Sequence, residues 1–290
     1  MSDIALRLMS AASARRRFLQ QLSALGVAAA AADKLAAAGI VNPPALLEIE
    51  QGHYKFLPAG QVFCGGVLPL EGYEVIHALL LPGVALTQAY GFVERYLQEQ
   101  KLPIQALCGM ELRVPAQMSF DAFRTFNVPY VEQLSKWDLT VGNYSAVCRT
   151  NVASGLDAPA VPSLHAFSYV AASTRKGSTF CISGTADIDA KGKIVAAGDL
   201  SAEGMKKKLD YVIQIIASRM EELELKLGDA NQVDLHAVAD LRNLWGTTIL
   251  PKLGTAAAAG VRYHYTRPPI LGAEVELEVR RVAQEIVIQA

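Results

Sequence analysis

The stretch AGVRYHYTRPPILGAEVELEV, residues 259–279, places Arg262 on one candidate strand and Glu276 on the next, joined by a Pro-Pro loop. Residue types like these do two kinds of work. A guanidinium binds anions, and a carboxyl removed from water moves protons. In AEVELEV every second side chain points the same way, so Glu276 and Glu278 oppose Val275, Leu277 and Val279. An ionised carboxylate turned into an apolar layer is costly unless it is paired. Arg262 and Glu276 are therefore either a structural ion pair or the charged part of a site. His264 shares the side of Arg262 by the same alternation. Glu278 is open to a plainer reading, a polar cap on a sheet edge. In GMELR, Glu111 and Arg113 share a strand face and can pair with each other.

Other chemistries have less support. The four cysteines, Cys64, Cys108, Cys148 and Cys181, show no CxxC or ligand spacing, and none of the five histidines pairs with another at i, i+4. No metal site and no cofactor are expected, and the thiols read as free and reduced. A formal charge of −1 gives no electrostatic footprint for nucleic acid or a membrane surface. With 51% hydrophobic and 19% charged residues, the 290-residue chain is globular. It is long enough for one large or two ordinary domains.

These residues must be positioned by strands and helices, and the pattern supplies both twice. In the first half, strands over 73–81 and 104–114 alternate with a helix at 84–100 and a second helix after Ser119. Pro129 must begin, bend or interrupt that second helix. Strands at 145–153 and 163–172 follow. In the second half, a strand at 178–189 and a turn with a short strand at 190–199 lead to a long amphipathic helix capped by Ser201. Its buried stripe is Met205, Leu209, Val212, Ile213, Ile216 and Met220. A strand at 232–240, a short helix, and strands around Arg262 and Glu276 complete it. The element order repeats, which implies duplication of an α+β unit of roughly 110–120 residues. The expected divisions are 1–42, 43–175 and 176–290. The first of these holds Arg15-Arg16-Arg17-Phe18-Leu19 ahead of an Ala-rich run. It reads either as a structural helical cap begun by Ser13 or as a twin-arginine export signal. The first places the protein in the cytoplasm and the second exports it.

The second half resembles a RidA/YjgF domain of the chorismate-mutase-like fold. The resemblance is carried by ISGTADIDAKGKIVAAGDLSAE (182–203), VDLHAVAD (233–240) and VELEV (275–279), and covers 178–283. The first half is similar to the same family in FDAFRTFNVPY (120–130), with Asn127, and in AVCRTNV (146–152), with Arg149 and Asn151. It departs at the closing strand, where LHAFSYV carries His165 and no carboxylate. The second half carries Thr248 where the family has an asparagine. The resemblance implies two tandem units with mixed sheets and helices on the outer face, sites formed between copies, and a trimer of chains.

For function, the resemblance implies an arginine that holds a substrate carboxylate and a glutamate that handles a water. The reaction would be cofactor-independent hydrolysis of an enamine or imine with loss of ammonia. Carried over to this chain, the catalytic set is Glu276, Arg262 and Arg149. The substrate-binding set is Ser183, Gly184, His264, Asn127, Asn151, Arg113 and Glu111. Glu111 and Arg113 would either pair or read a second carboxylate. The two-unit layout and the surplus of arginines resemble the 2-aminomuconate and 2-amino-5-chloromuconate deaminase group, which acts on dicarboxylates in aromatic-compound catabolism. The alternatives are a chorismatase-like hydrolase of chorismate and a non-catalytic small-molecule binder. Since neither half holds the full family set, a shared or asymmetric site is expected, with Arg262 and Glu276 lining one pocket at a domain or chain interface and Arg149 near that pocket or a sister pocket.

Overall fold

The computed structural model describes residues 46–290; the helical or export reading of 1–42 lies outside the described residues. Strands β1 (Leu47–Ile49), β2 (Tyr54–Leu57), β3 (Gly66–Pro69) and β4 (Tyr73–Ala85) lead to helix α1 (Leu86–Glu99). Strand β5 (Leu107–Val114), helix α2 (Phe120–Lys136), the small pair β6 (Thr140–Val141) and β7 (Tyr144–Ser145), β8 (Cys148–Ser154) and β9 (Ser163–Ala172) follow. The second half has β10 (Phe180–Ala186), α3 (Ala202–Glu222), β11 (Gln232–Ala237), helical turns ending around α4 (Leu250–Leu253), β12 (Arg262–His264), β13 (Thr266–Arg267), β14 (Val275–Arg281) and β15 (Gln284–Gln289).

The duplication is visible in the sheets. In one, β4, β9, β5 and β8 are neighbours in that order; in the other, β10, β14, β11 and β12 are. In both sets the first two pairings are antiparallel and the third is parallel. The α+β class with mixed sheets is thus as expected. The sheets do not follow the halves, however. Strands β1–β3 from the first half extend the second-half sheet beside β10. In return, β15 pairs with β4 and β13 with β8. The stretch around Arg262, expected as one strand, is split between sheets, and β15 was not foreseen.

Each sheet buries one face under helices. Ser201 caps α3 by accepting the Gly204 amide, and the expected stripe from Met205 to Met220 packs on Val275, Leu277 and Val279. Ser119 caps α2 in the same way, and Pro129 lies inside that helix without ending it. Val93, Leu97, Tyr130 and Leu134 from α1 and α2 cover Met110 and Leu112.

The opposite faces of the two sheets meet through charge. Arg280 on β14 is buried and pairs with Glu111 on β5 (2.5 Å), with Glu278 on its own strand and with Asp234 on β11 (3.3 Å). It also donates to His77 Nε2 on β4 (3.0 Å). Glu278 accepts from Thr150 on β8, so it is a member of this cross-sheet network and not an edge cap. Burial and the neighbouring Glu111 push the Glu278 carboxyl up, while Arg280 and His77 outweigh burial at Glu111 and hold it well below its usual range. Such a seam stabilises little compared with an apolar one. It does link β14 of one sheet to β5, β4 and β8 of the other.

Candidate active site

At one end of this seam, β8 of the first sheet lies over β10 and β14 of the second. Strand β10 is bulged between Ile182 and Thr185, which sets Ser183 and Gly184 out of the regular ladder. A Cβ at position 184 would lie 2.3 Å from Glu276 Oε1 and 2.7 Å from Thr150 Oγ1. Only glycine allows the carboxyl of Glu276 to sit against the strand there. Ser183 is used differently from the expectation of substrate binding. Its hydroxyl donates to the Cys64 carbonyl (2.6 Å) and accepts the Arg149 amide (3.0 Å). It braces the two halves and does not line the cavity.

The cavity beside this bulge has a volume of about 110 Å³. Its walls are largely apolar, with Phe63, Phe123, Tyr211 and Ile270, and its polar groups are Arg149, Asn151, Thr185, Asp189, Arg219 and Glu276. Arg149 is buried against aromatic rings, 4.4 Å from the Tyr130 centroid and 5.6 Å from that of Phe126. Its Nη1 donates to Asn127 Oδ1 (2.6 Å), so Asn127 orients the guanidinium from α2. Arg149 Nε and Nη2 have no protein acceptor, and the Asn151 side-chain amide has neither donor nor acceptor. Unmet donors on a buried guanidinium cost more than the net value of an ordinary hydrogen bond. Here they belong to a residue that borders a cavity.

Glu276 is buried and its pKa is pushed up to about 8. Burial is the main cause. The hydrogen bond from the Asn151 backbone amide, Arg113 and Arg149 oppose it without cancelling it. The carboxyl is mostly protonated at neutral pH and close enough to its titration point to give and take a proton.

The structure separates the expected site residues into two groups. Arg149, Asn151, Gly184 and Glu276 line the cavity, with Asn127 directly behind Arg149. Arg262 does not join them. It lies on β12 at the far edge of its sheet, 41% exposed, and both of its terminal nitrogens engage Glu285 on β15 (2.6 and 2.8 Å). The expectation that Arg262 and Glu276 share a pocket is corrected. β12 pairs with β11, and β11 pairs with β14, so Arg262 stands two strands from Glu276 with its charge already met. His264 bonds Asp234 (2.6 Å) and stacks on His236. Glu111 is held by Arg280, and Arg113 donates to the Leu112 carbonyl. None of these three borders the cavity, so neither pairing within GMELR nor contact with its contents applies. No group of three or more His, Cys, Asp or Glu among the described residues could hold a metal ion, and no described helix is long and apolar enough to cross a membrane.

The residue that sequence reasoning missed is Arg219 on α3. A signal for it existed: Val212, Ile216 and Arg219 follow helical spacing on the apolar stripe, so the arginine stands where an aliphatic side chain belongs. Lys208 repeats the device. It is fully buried on the same stripe and pairs with the buried Asp187 (2.8 Å), whose other oxygen accepts the Glu274 and Val275 amides. That link ties α3 to the start of β14 and so helps to place Glu276.

The chain is similar to known proteins over most of its described length. Residues 46–286 match the family model described as 2-aminomuconate deaminase CnbZ. A 2-amino-5-chloromuconate deaminase from Comamonas testosteroni is 32% identical over 252 residues, covering 84% of this chain and all of the relative. Among solved structures, a chorismatase is similar over 76% of this chain and 77% of its own, at 13% identity and a TM-score of 0.43. RidA from the Antarctic bacterium Psychrobacter sp. PAMC 21119 is similar over 38% of this chain and 84% of its own, at 19% identity and a TM-score of 0.26.

Proposed function

The chain belongs to the 2-aminomuconate deaminase CnbZ family, and we propose that its cavity hydrolyses a 2-aminodienoate dicarboxylate of the 2-aminomuconate type to the 2-oxo acid, with release of ammonia. The observation that carries this reading is the pairing across one cavity of a buried arginine with open donors, Arg149, and a carboxyl titrating near 8, Glu276. Each comes from a different half of the chain.

Arg149 Nε and Nη2 grip the carboxylate next to the amino-bearing carbon, a two-point contact that fixes the plane of the conjugated system. Glu276 in its protonated form delivers a proton to the enamine carbon, and the nitrogen lone pair becomes the C=N bond of an iminium. The resulting Glu276 carboxylate takes a proton from water as its oxygen bonds to the iminium carbon. The proton then passes to nitrogen, the C–N bond breaks, and ammonia leaves as the hydroxyl gives its proton to the Glu276 carboxylate and becomes the carbonyl. One water is consumed, one ammonia is released, and the glutamate returns to its first state. Asn151 stands beside both groups, with its amide open toward the substrate.

The same reading includes a trimer of chains, carried over from the family resemblance, and a place in the cytoplasm, carried over from the helical reading of residues 1–42, with export as the alternative. Sedimentation of a stable monomer would remove the trimer. The reaction is tested by ammonia release from 2-aminomuconate and its 5-chloro derivative. Turnover of either supports the reading, and binding of both without ammonia release would leave a small-molecule binder.

A further inference from the structure

We propose that the side-chain amide of Asn151 reads the 2-amino group of the substrate, and that its oxygen makes the cavity bind a 2-amino dienoate in preference to the 2-oxo product. This rests on the reading of the cavity as a deaminase site. It adds a basis for telling substrate from product that the reading does not supply.

Asn151 follows Arg149 by two residues on β8, so the two side chains leave the same face of the strand, about 7 Å apart at the backbone. Both residues are buried, at 5% and 4% exposure, and both border the cavity with Glu276. The backbone amide of Asn151 donates to the Glu276 carboxyl. Strand register thus ties Asn151 to the residue that grips the carboxylate, and its main chain ties it to the residue that moves the proton. The carbon that bears the amine is next to both of those events.

The protein makes no use of the Asn151 side chain. Neither Oδ1 nor Nδ2 has a hydrogen-bond partner. The other polar oxygens of the lining are committed: Asp189 accepts the Lys191 and Lys193 amides within its own turn, and Thr185 Oγ1 accepts from Arg219. Among the described residues that border the cavity, Oδ1 of Asn151 is the buried side-chain acceptor with no protein donor. A buried acceptor in that state is costly, and a ligand removes the cost only by bringing a hydrogen.

A carboxylate brings none, because it only accepts. The amino group of an enamine does. Its lone pair is drawn into the conjugated system, which leaves two N–H donors in the plane of the diene. With the neighbouring carboxylate on Arg149, one N–H donates to Oδ1, and Nδ2 donates to a free lone pair of that carboxylate. The contact is flat and two-pointed. Hydrolysis replaces the nitrogen by an oxo oxygen, which is itself an acceptor. It meets Oδ1 with no hydrogen between them, and the product is released from a site that no longer matches it. A site built to bond an N–H rejects the analogue without one for this reason.

The test uses two flat six-carbon diacids that cannot lose ammonia. Pyrrole-2,5-dicarboxylate carries an N–H on the carbon next to each carboxylate, and furan-2,5-dicarboxylate has an oxygen in its place. Each is titrated calorimetrically into the full-length wild type, Asn151→Leu and Asn151→Asp. The wild type should bind the pyrrole about 10- to 100-fold more tightly than the furan, the effect of one buried polar group paired or left unpaired. Asn151→Leu should bring the ratio close to one. Asn151→Asp keeps an acceptor, so it should keep the preference while binding both diacids more weakly. A ratio of affinities does not depend on the folded fraction, so a destabilised variant still reports. Equal binding of the two rings by the wild type, failure to bind either, or a preference that survives in Asn151→Leu overturns the proposal. Loss of the preference in Asn151→Asp as complete as in Asn151→Leu does the same. Because neither ring is turned over, absence of ammonia release from 2-aminomuconate would sink the deaminase reading by a separate result.

Discussion

Arg149 and Arg262 occupy matching strands of the two halves, β8 and β12, each the strand parallel to its neighbour at the third place in the shared order. Their fates differ. Arg149 is buried in an aromatic box with donors left open toward a cavity, and across that cavity stands Glu276. Arg262 is half-exposed and has given both ends of its fork to Glu285. On the strand that matches β14, the first half has His165 in place of the glutamate. On the proposed function, one of the two sites that duplication offers is used, built from the arginine strand of the first half and the glutamate strand of the second. A partnered arginine on a sheet edge contributes little, whereas a buried one with unmet donors is stable only because surrounding structure holds it. That contrast is the physical ground for proposing the cavity beside Arg149 as the site.

Substitutions sharpen the contrast in order of expected effect. Glu276→Gln should lower turnover by about 10²–10⁴, with KM little changed, because the amide occupies the same space but exchanges no proton. The same change should stabilise the fold. A carboxyl whose pKa rises from 4.5 to about 8 on folding contributes stability that is fully present below 4.5 and lost as pH climbs through 8. The advantage of Glu276→Gln in urea melts should therefore grow between about pH 5 and 8, and a constant difference would contradict the buried-acid account. Arg149→Lys should raise KM by about 10- to 100-fold, since an ammonium neither forks onto a carboxylate nor stacks as a planar group on Tyr130. Arg262→Met should change kcat/KM by less than about 2-fold and cost at most about 1 kcal/mol of stability, the range for a surface pair. A large loss of activity in Arg262→Met would restore the second copy as a working site.

Much of the scaffold was legible in the sequence because periodicity reports local geometry. The stripe of α3, the caps at Ser119 and Ser201 and the alternation of β14 all follow from side-chain direction along one element. Glu276 was legible for that reason: an acidic residue on the inner face of an apolar strand has few uses. Arg149, Asn127 and Asn151 were legible through short motifs. The assignment of Arg262 to the pocket was not sound, because alternation fixes the face of a strand but not its place in a sheet. The chain leaves β12 for β13 on the other sheet, and no local pattern announces that crossing. The exchange of β1–β3 and β15 between sheets was hidden for the same reason. Ser183 was named from a motif, but its hydroxyl is consumed between Cys64 and Arg149. Arg219 is hard to find from sequence because periodicity reports the apolar members of a helix stripe, and this arginine is the exception among them.

The central claim is that Glu276 works as a buried acid titrating near neutrality inside the shared cavity. Its most direct test is the pH dependence of kcat/KM for ammonia release from 2-aminomuconate, which reports groups of the free enzyme. The account predicts a plateau below neutrality and a fall through an apparent pKa of about 8, as the proton needed at carbon is lost from Glu276. A profile that stays flat beyond pH 9, or whose only inflection lies near the ordinary glutamate value of 4.5, would contradict it.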